Sequence, residues 1–399
     1  MTISDGNIPA PQLRAVRDRY HGLLFADVVP WWLRHARDEE QGGYFNCLNR
    51  DGTPYTSEKY FWPTARQVWF FSHLYRHHEA RPEWLAHARH GFDFLDRYGF
   101  ASDGKMYFRT GRAGEPRATC LSLYTECFAA MAYAAFGAAT GQAGHVRRAV
   151  QMFQRILPRL GKPTDTPLLG YPILAEFHLH AHDMIRLTVA EVLFDVTGER
   201  LWRDESVRSV ESILTRHWHP QLDALLEQVS PVGKPMLDLP EARLVHPGHA
   251  LESAWMILEV ALAEHREDWV AAAVAIIRSS YRRGWDNELG GLRYLMNLDG
   301  SPAHALEADC KLLWPQCEAL YATFLGWKAT GAADLRGFYE QIEQYLLAHF
   351  RDPEHGEFFG YLNRDGSPIF TAKANGWEGC FHLPRVLFRM YQAARGLNQ

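Results

Sequence analysis

Three stretches of this chain share one design: Gly43-Tyr-Phe-Asn-Cys-Leu-Asn-Arg-Asp-Gly-Thr-Pro54, Gly291-Leu-Arg-Tyr-Leu-Met-Asn-Leu-Asp-Gly-Ser-Pro302 and Glu357-Phe-Phe-Gly-Tyr-Leu-Asn-Arg-Asp-Gly-Ser-Pro368. In each, an apolar and aromatic run leads into Asp-Gly-Ser/Thr-Pro, a hairpin-turn signature. Weaker versions run from Gly104 to Pro116 and from Leu225 to Pro235. Each turn unit is followed by a helical pattern that is apolar on most faces, as a buried helix should be. These patterns are Ala65–Tyr75, Tyr124–Tyr133, Met184–Leu193, Leu251–Val260, Cys317–Leu325 and Val386–Tyr391. Three of the helices run on to Thr-Gly (Thr140-Gly141, Thr197-Gly198, Thr330-Gly331), which suits a C-terminal glycine cap. More amphipathic helices follow, such as Leu201–Val210 and Phe338–Leu347.

The repeating module is therefore turn unit, buried helix, glycine break and amphipathic helix. Six modules in 399 residues give about 66 residues each. Six buried helices alternating with six surface helices predict an all-α (α/α)6 toroid, with the short β-hairpin units at one mouth. An open solenoid is the alternative, but the best-preserved turn units lie at the two ends, where a solenoid needs atypical caps. No Pro/Gly/Ser-rich linker interrupts the pattern, so residues 1–399 are expected to form one domain.

Composition narrows the function. Lys+Arg number 42 and Asp+Glu 47, a formal charge of −5, with no basic run to track a phosphate backbone. Nucleic acid is not the expected partner. No apolar run approaches the ~18 residues a membrane helix needs. The first thirty residues lack a basic start, an apolar stretch and a cleavage site, and six cysteines form no disulfide framework. A cytoplasmic location is expected. Aromatic residues make up 13%, enough to pack a large core and still line a pocket that stacks on flat ligand faces.

Four buried helices begin near an X-Pro step: Trp62-Pro63, His246-Pro247, Trp314-Pro315 and Leu383-Pro384. Proline suits a first turn, whose N–H groups lack partners in any case. Beside these prolines stand Arg66, His249 with Glu252, Glu318 and His382, so the toroid gathers polar groups from four modules at one mouth. His249 and Glu252, three apart, share a helix face, and Glu252 is expected to fix the imidazole. The helix start disfavours imidazolium, which predicts a lowered His249 pKa. With His382 from another module, two imidazoles can stand on opposite faces of one ligand. Arg66 on a buried helix calls for an anion, sugar oxygens or a structural ion pair with Glu318 or Glu252. Of Trp62, Trp314 and Trp377, the first two, at turn–helix junctions, are the expected ligand-stacking rings. His178-x-His180-x-His182 has the look of a metal cluster, but it leads into a helix, and no metal is expected. Cys120/Cys127 and Cys310/Cys317 repeat at seven, as small core residues on a helical face do.

These motifs resemble the N-acylglucosamine 2-epimerase family, also known for renin-binding protein and related to cellobiose 2-epimerase and mannose isomerase. The resemblance rests on Lys59-Tyr-x-Trp62 with Ala65-Arg-x-x-Trp-x-Phe-Ser-x-Leu-Tyr75, Pro247-Gly-His-x-x-Glu252, Lys311-Leu-Leu-Trp-Pro-x-x-Glu-Ala319 and Gly379-Cys-Phe-His-x-Pro-Arg385. It implies an (α/α)6 barrel and a sugar 2-epimerase that interconverts N-acetylglucosamine and N-acetylmannosamine through the open-chain form. The matching His249 and His382 would be the two acid/base groups, and Arg66 would neutralise charge at the C1 oxygen. Glu252 and Glu318 would orient the histidines and hold hydroxyls, with Tyr60, Trp62 and Trp314 completing the substrate-binding set. No cofactor is implied; ATP as an allosteric effector and a homodimer are compatible with the resemblance. The cellobiose and mannose branches carry a third histidine, which Asp183-Met-Ile-Arg186 does not offer in register, leaving His180 or His182 as substitutes. Gln316 stands where the epimerases most like this chain are expected to carry histidine. An aldose–ketose isomerase or epimerase of mannose-type sugars is the alternative reading. An inverting glycosidase and a carbohydrate- or protein-binding module are the others.

Overall fold

The computed structural model describes residues 7–119, 122–160 and 176–395. Its inner helices are α3 (Phe61–His77), α5 (Leu123–Ala139), α7 (His180–Thr197), α9 (Pro247–Ala263), α11 (Leu313–Thr330) and α13 (His382–Ala393). The outer ring comprises α4 (Pro82–Tyr98), α6 (Ala143–Ile156), α8 (Arg200–Ser212), α10 (Glu267–Gly284) and α12 (Ala333–Tyr345). Its sixth member comes from the N-terminus, where α1 (Ala10–Gly22) and α2 (Val29–His35) are joined through the π-helical turn Leu23–Val28. The fold is an (α/α)6 toroid. One expectation needs correction: among the described residues, no outer helix follows the last inner one. The final hairpin is instead assembled from both ends of the chain, with His21 and Phe25 packed on Tyr391 at ring separations of 5.3 and 5.9 Å.

The three strong turn units adopt one conformation. The N–H groups of Asn49, Asn297 and Asn363 donate to the carbonyls of Thr53, Ser301 and Ser367 at 2.8, 3.1 and 2.8 Å. Asp51, Asp299 and Asp365 each accept from the N–H two residues on at 2.9 Å. Gly52, Gly300 and Gly366 then sit at φ 84°, 83° and 87°, a region that costs an L side chain energy. Around the mouth, the residue pair before an inner helix joins the turn unit of the next module. Lys59–Tyr60 pairs with Tyr107–Thr110, His178–Leu179 with Gln228–Val229, Leu244–Val245 with Met296–Asn297, and Lys311–Leu312 with Tyr361–Leu362. A bridge between Leu48 and Ala374 closes the circle.

A buried ion triad fastens three of these joints. Asp38, Asp286 and Asp352 are almost fully buried. Each faces a buried lysine (Lys59 at 3.0 Å, Lys311 at 3.6 Å, Lys373 at 2.8 Å) and an arginine from a neighbouring turn unit (Arg112 at 2.8 Å, Arg364 at 2.8 Å, Arg50 at 2.7 Å). Burial alone would raise these carboxyls, but the cations hold all three well below the usual range. One cysteine expectation does not carry over, and another is not tested. Cys310 precedes the strand before α11 and shares no helix with Cys317, and Cys120 lies outside the described residues.

Candidate active site

The inner helices begin at the mouth, and their first turns surround a cavity of about 540 Å³. Its wall includes Trp62 and Arg66 from α3, His249 and Glu252 from α9, Trp314 from α11, and His382 and Arg385 from α13. Helix geometry explains the convergence: a first-turn side chain leans back past the helix start, here into the axial space. His246 precedes Pro247 as a capping residue, its ring accepting the His249 N–H at 3.4 Å. Its imidazole stacks on that of His249 with centroids 4.0 Å apart. Trp314 stands between the two proposed acid/base groups, its ring 5.2 Å from His249 and 5.3 Å from His382. Gly248 makes room for it, because a Cβ there would lie 2.9 Å from the indole.

The two histidines have different supports. Nδ1 of His249 lies 3.0 Å from Glu227, which leaves Nε2 for the cavity. Burial disfavours the imidazolium, but Glu227, Glu252 and Glu318 outweigh it and raise the His249 pKa above 6.5. Two expectations are thereby corrected. Glu227, from a turn unit, orients His249 in place of Glu252, and the carboxylates override the helix dipole. Nδ1 of His382 lies 2.7 Å from Glu318, again leaving Nε2 free. Burial pushes this imidazole well below 6.5; Glu252 opposes that, while Arg66, Arg385 and His249 reinforce it. The two imidazoles are therefore displaced in opposite directions, His249 toward holding its proton and His382 toward losing it.

Glu252 and Glu318 are bridged by Arg385, whose Nη2 donates to them at 2.5 and 2.6 Å. Glu318 also accepts from Trp255 Nε1 at 2.7 Å, is fully buried and is absent from the cavity wall. It stands behind His382, against Nδ1, and not in the wall itself. Tyr60 is likewise outside the wall; it packs edge-on against Phe108 and backs Gly376, where a Cβ would lie 2.7 Å from its ring. Trp377, discounted from the sequence, does line the cavity and is 58% exposed.

Arg66 lies 4.9, 4.1 and 4.4 Å from the ring centres of Trp62, Phe128 and Phe381. Burial outweighs the attraction of Glu378 and Glu252 and brings its pKa down to about 9. Arg66 Nε and Trp62 Nε1 are buried donors without an acceptor among the described residues. No ion pair within 4.0 Å joins Arg66 to Glu318 or Glu252, so the structural-pair alternative is not what these residues form.

The histidine triplet does not converge. His178 faces His217 at 3.0 Å and accepts from Arg216 at 2.8 Å, so a cation already occupies its other nitrogen. His180 is shared between Glu227 and Ser253 at 3.3 and 2.8 Å, and His182 lies beside Tyr124. Neither substitutes for a third cavity histidine; α7 presents Ala181, Met184, Ile185 and Thr188 there.

A family model described as N-acylglucosamine 2-epimerase (GlcNAc 2-epimerase) matches residues 43–383. The N-acylglucosamine 2-epimerase of Bos taurus is 36% identical over 390 residues, covering 94% of this chain and 90% of its own. The cellobiose 2-epimerase structure from Bacillus thermoamylovorans superposes with a TM-score of 0.82 at 19% identity, covering 95% of this chain and 100% of that one. A D-mannose isomerase crystal structure superposes at 0.80 with 18% identity over 96% and 98% of the respective chains, and both likenesses speak for the shared toroid. With a matching model across most of its length and a close curated relative, this chain belongs to the N-acylglucosamine 2-epimerase family.

Proposed function

We propose that the protein interconverts N-acetylglucosamine and N-acetylmannosamine by moving the C2 proton of the open-chain sugar. The observation that carries this reading is the pair of imidazoles on one cavity, each with Nδ1 against a carboxylate and with pKa values displaced in opposite directions. Inverting a carbon by proton transfer needs a base on one face and an acid on the other. Neutral His382 takes the C2 proton through Nε2, and the C2–H electron pair moves into the C1 carbonyl to give an enolate. Arg66, freed from any tight ion pair, neutralises the C1 oxygen. His249 delivers its Nε2 proton to the opposite face as the C1 carbonyl reforms. The other epimer uses the same two groups with roles reversed, starting from the enzyme form left by the first turnover. Trp62, Trp314 and Trp377 supply flat apolar faces for the sugar, and the cavity volume lies within the range of small-molecule sites.

Every step moves a proton or an electron pair already on the sugar or a side chain, so the reading needs no cofactor. The five described cysteines are free thiols, which supports a reducing, cytoplasmic setting. No helix among the described residues is long and apolar enough to cross a membrane. The test is incubation in heavy water with N-acylated and free sugars, followed by NMR at C1 and C2. Deuterium at C2 with formation of the 2-epimer is expected for N-acetylglucosamine. Ketose formation from a mannose-type sugar, with no exchange in the N-acylated one, would overturn the assignment in favour of an aldose–ketose isomerase.

A further inference from the structure

Both histidines are committed to the C2 proton, yet that proton is acidic only once the sugar ring has opened to an aldehyde. The cavity wall holds three carboxyl side chains. Glu252 is tied to Arg385, and Glu307 is exposed to solvent. The third, Glu378, is 7% exposed, and its carboxyl has no hydrogen-bond partner among the described residues. Its backbone is fixed all the same: Asn375 Oδ1 accepts the N–H groups of Trp377 and Glu378, both at 2.8 Å. This turn sits beside Arg66, whose Nη1 donates to the Trp377 carbonyl at 3.5 Å. An unpartnered carboxyl, held in the wall next to the cation assigned to the C1 oxygen, lies where the anomeric centre has to bind.

We propose that Glu378 opens the pyranose ring as a bifunctional acid–base, giving the protein a sugar mutarotase activity separable from its epimerase activity. The assignment rests on the open-chain reading above. The acidic O–H of Glu378 passes its proton to ring oxygen O5 as the C1–O5 bond breaks. The C1–O1 bond becomes the aldehyde, and the O1 proton passes to the second Glu378 oxygen. The carboxyl ends neutral, protonated on its other oxygen, and no net charge moves through the desolvated wall. O1 and O5 share C1, so one carboxyl spans both.

The electrostatics fit a neutral acid. Burial raises the Glu378 carboxyl to about 8; Arg66 opposes this, and Glu357 and Glu318 add to it. Arg66 stays a cation with its pKa at about 9, and burial raises the wall tyrosines, Tyr294 well above its usual value and Tyr361 to about 12, leaving both too weakly acidic to take over.

The experiment dissolves crystalline α-N-acetylglucosamine and follows the anomer ratio by NMR with wild type, Glu378→Gln and His382→Gln. Wild type and His382→Gln should accelerate anomer equilibration, although the second cannot epimerise. Glu378→Gln should lose about 10²-fold of that acceleration or return to the uncatalysed rate. Glu378→Asp, which keeps a carboxyl but shortens its reach, should fall between, and calorimetric sugar binding by Glu378→Gln reports an intact cavity. Wild-type anomer equilibration by Glu378→Gln, or none by wild type, overturns the assignment. Absence of C2 exchange in wild type with anomer equilibration intact would sink the epimerase reading and leave Glu378's role standing.

Discussion

His249 and His382 are the same side chain at equivalent places, each near the start of an inner helix with a carboxylate on Nδ1. They nevertheless shift in opposite directions. Carboxylates dominate around His249, whereas Arg66 and Arg385 crowd His382 and leave burial to prevail. The difference shows that the direction of each shift is set by charge across the barrel, from elements distant in sequence, and not by helix position. In the proposed reaction the same displacement favours His249 as the proton donor and His382 as the acceptor.

The largest effect should come from removing one member. His382→Gln is expected to lower the epimerisation rate by about 10³–10⁴-fold, and a residual rate above a tenth of wild type would break the pairing. Gly248→Ala is next. Its methyl would press on the Trp314 ring between the two imidazoles and displace the stacked face by a fraction of an ångström, with a loss of about 10²-fold in kcat/KM and an unchanged fold by circular dichroism.

Glu227→Gln is the gentlest change, and its sign follows from the charges. Glu227 raises His249, so the active form, with His249 protonated and His382 neutral, persists above pH 6.5 and is lost as pH rises through the raised His249 value. Without the carboxylate, His249 releases its proton at lower pH. The alkaline limb of the kcat/KM profile should move down, while the acid limb, set by His382, stays. An unmoved alkaline limb would show that His249 is not the acid.

Much of the fold was legible in the sequence because its signals are local. Asp-Gly-Ser/Thr-Pro dictates a turn with a left-handed glycine, and Gly141, Gly198 and Gly331 do end their helices at φ 69°, 68° and 71°. Helices without a polar face had to lie inside a second layer. The joining of the two chain ends in one hairpin was not legible, since no local pattern marks which N-terminal helix completes the last module. The site divides the same way. His249, His382, Arg66, Trp62 and Trp314 stand out as chemical groups at helix starts. Their partners do not: Glu227 lies 22 positions from His249 on a different element, and Arg385 reaches Glu252 across 133 positions. Spacing reveals which residues share a helix face, but not what stands opposite. One signal for the buried triads was present, in Asp38, Asp286 and Asp352 each preceding a glycine four residues on and a lysine about twenty residues on.

The central claim, two histidines on opposed faces of C2, is tested most directly by proton exchange in single variants. His249→Gln and His382→Gln are each incubated in heavy water with N-acetylglucosamine and, separately, N-acetylmannosamine. Each variant should exchange the C2 proton of only one epimer, opposite epimers for the two variants, with no conversion between them. Exchange of both epimers by either variant, or full epimerisation by one, would contradict the two-histidine account.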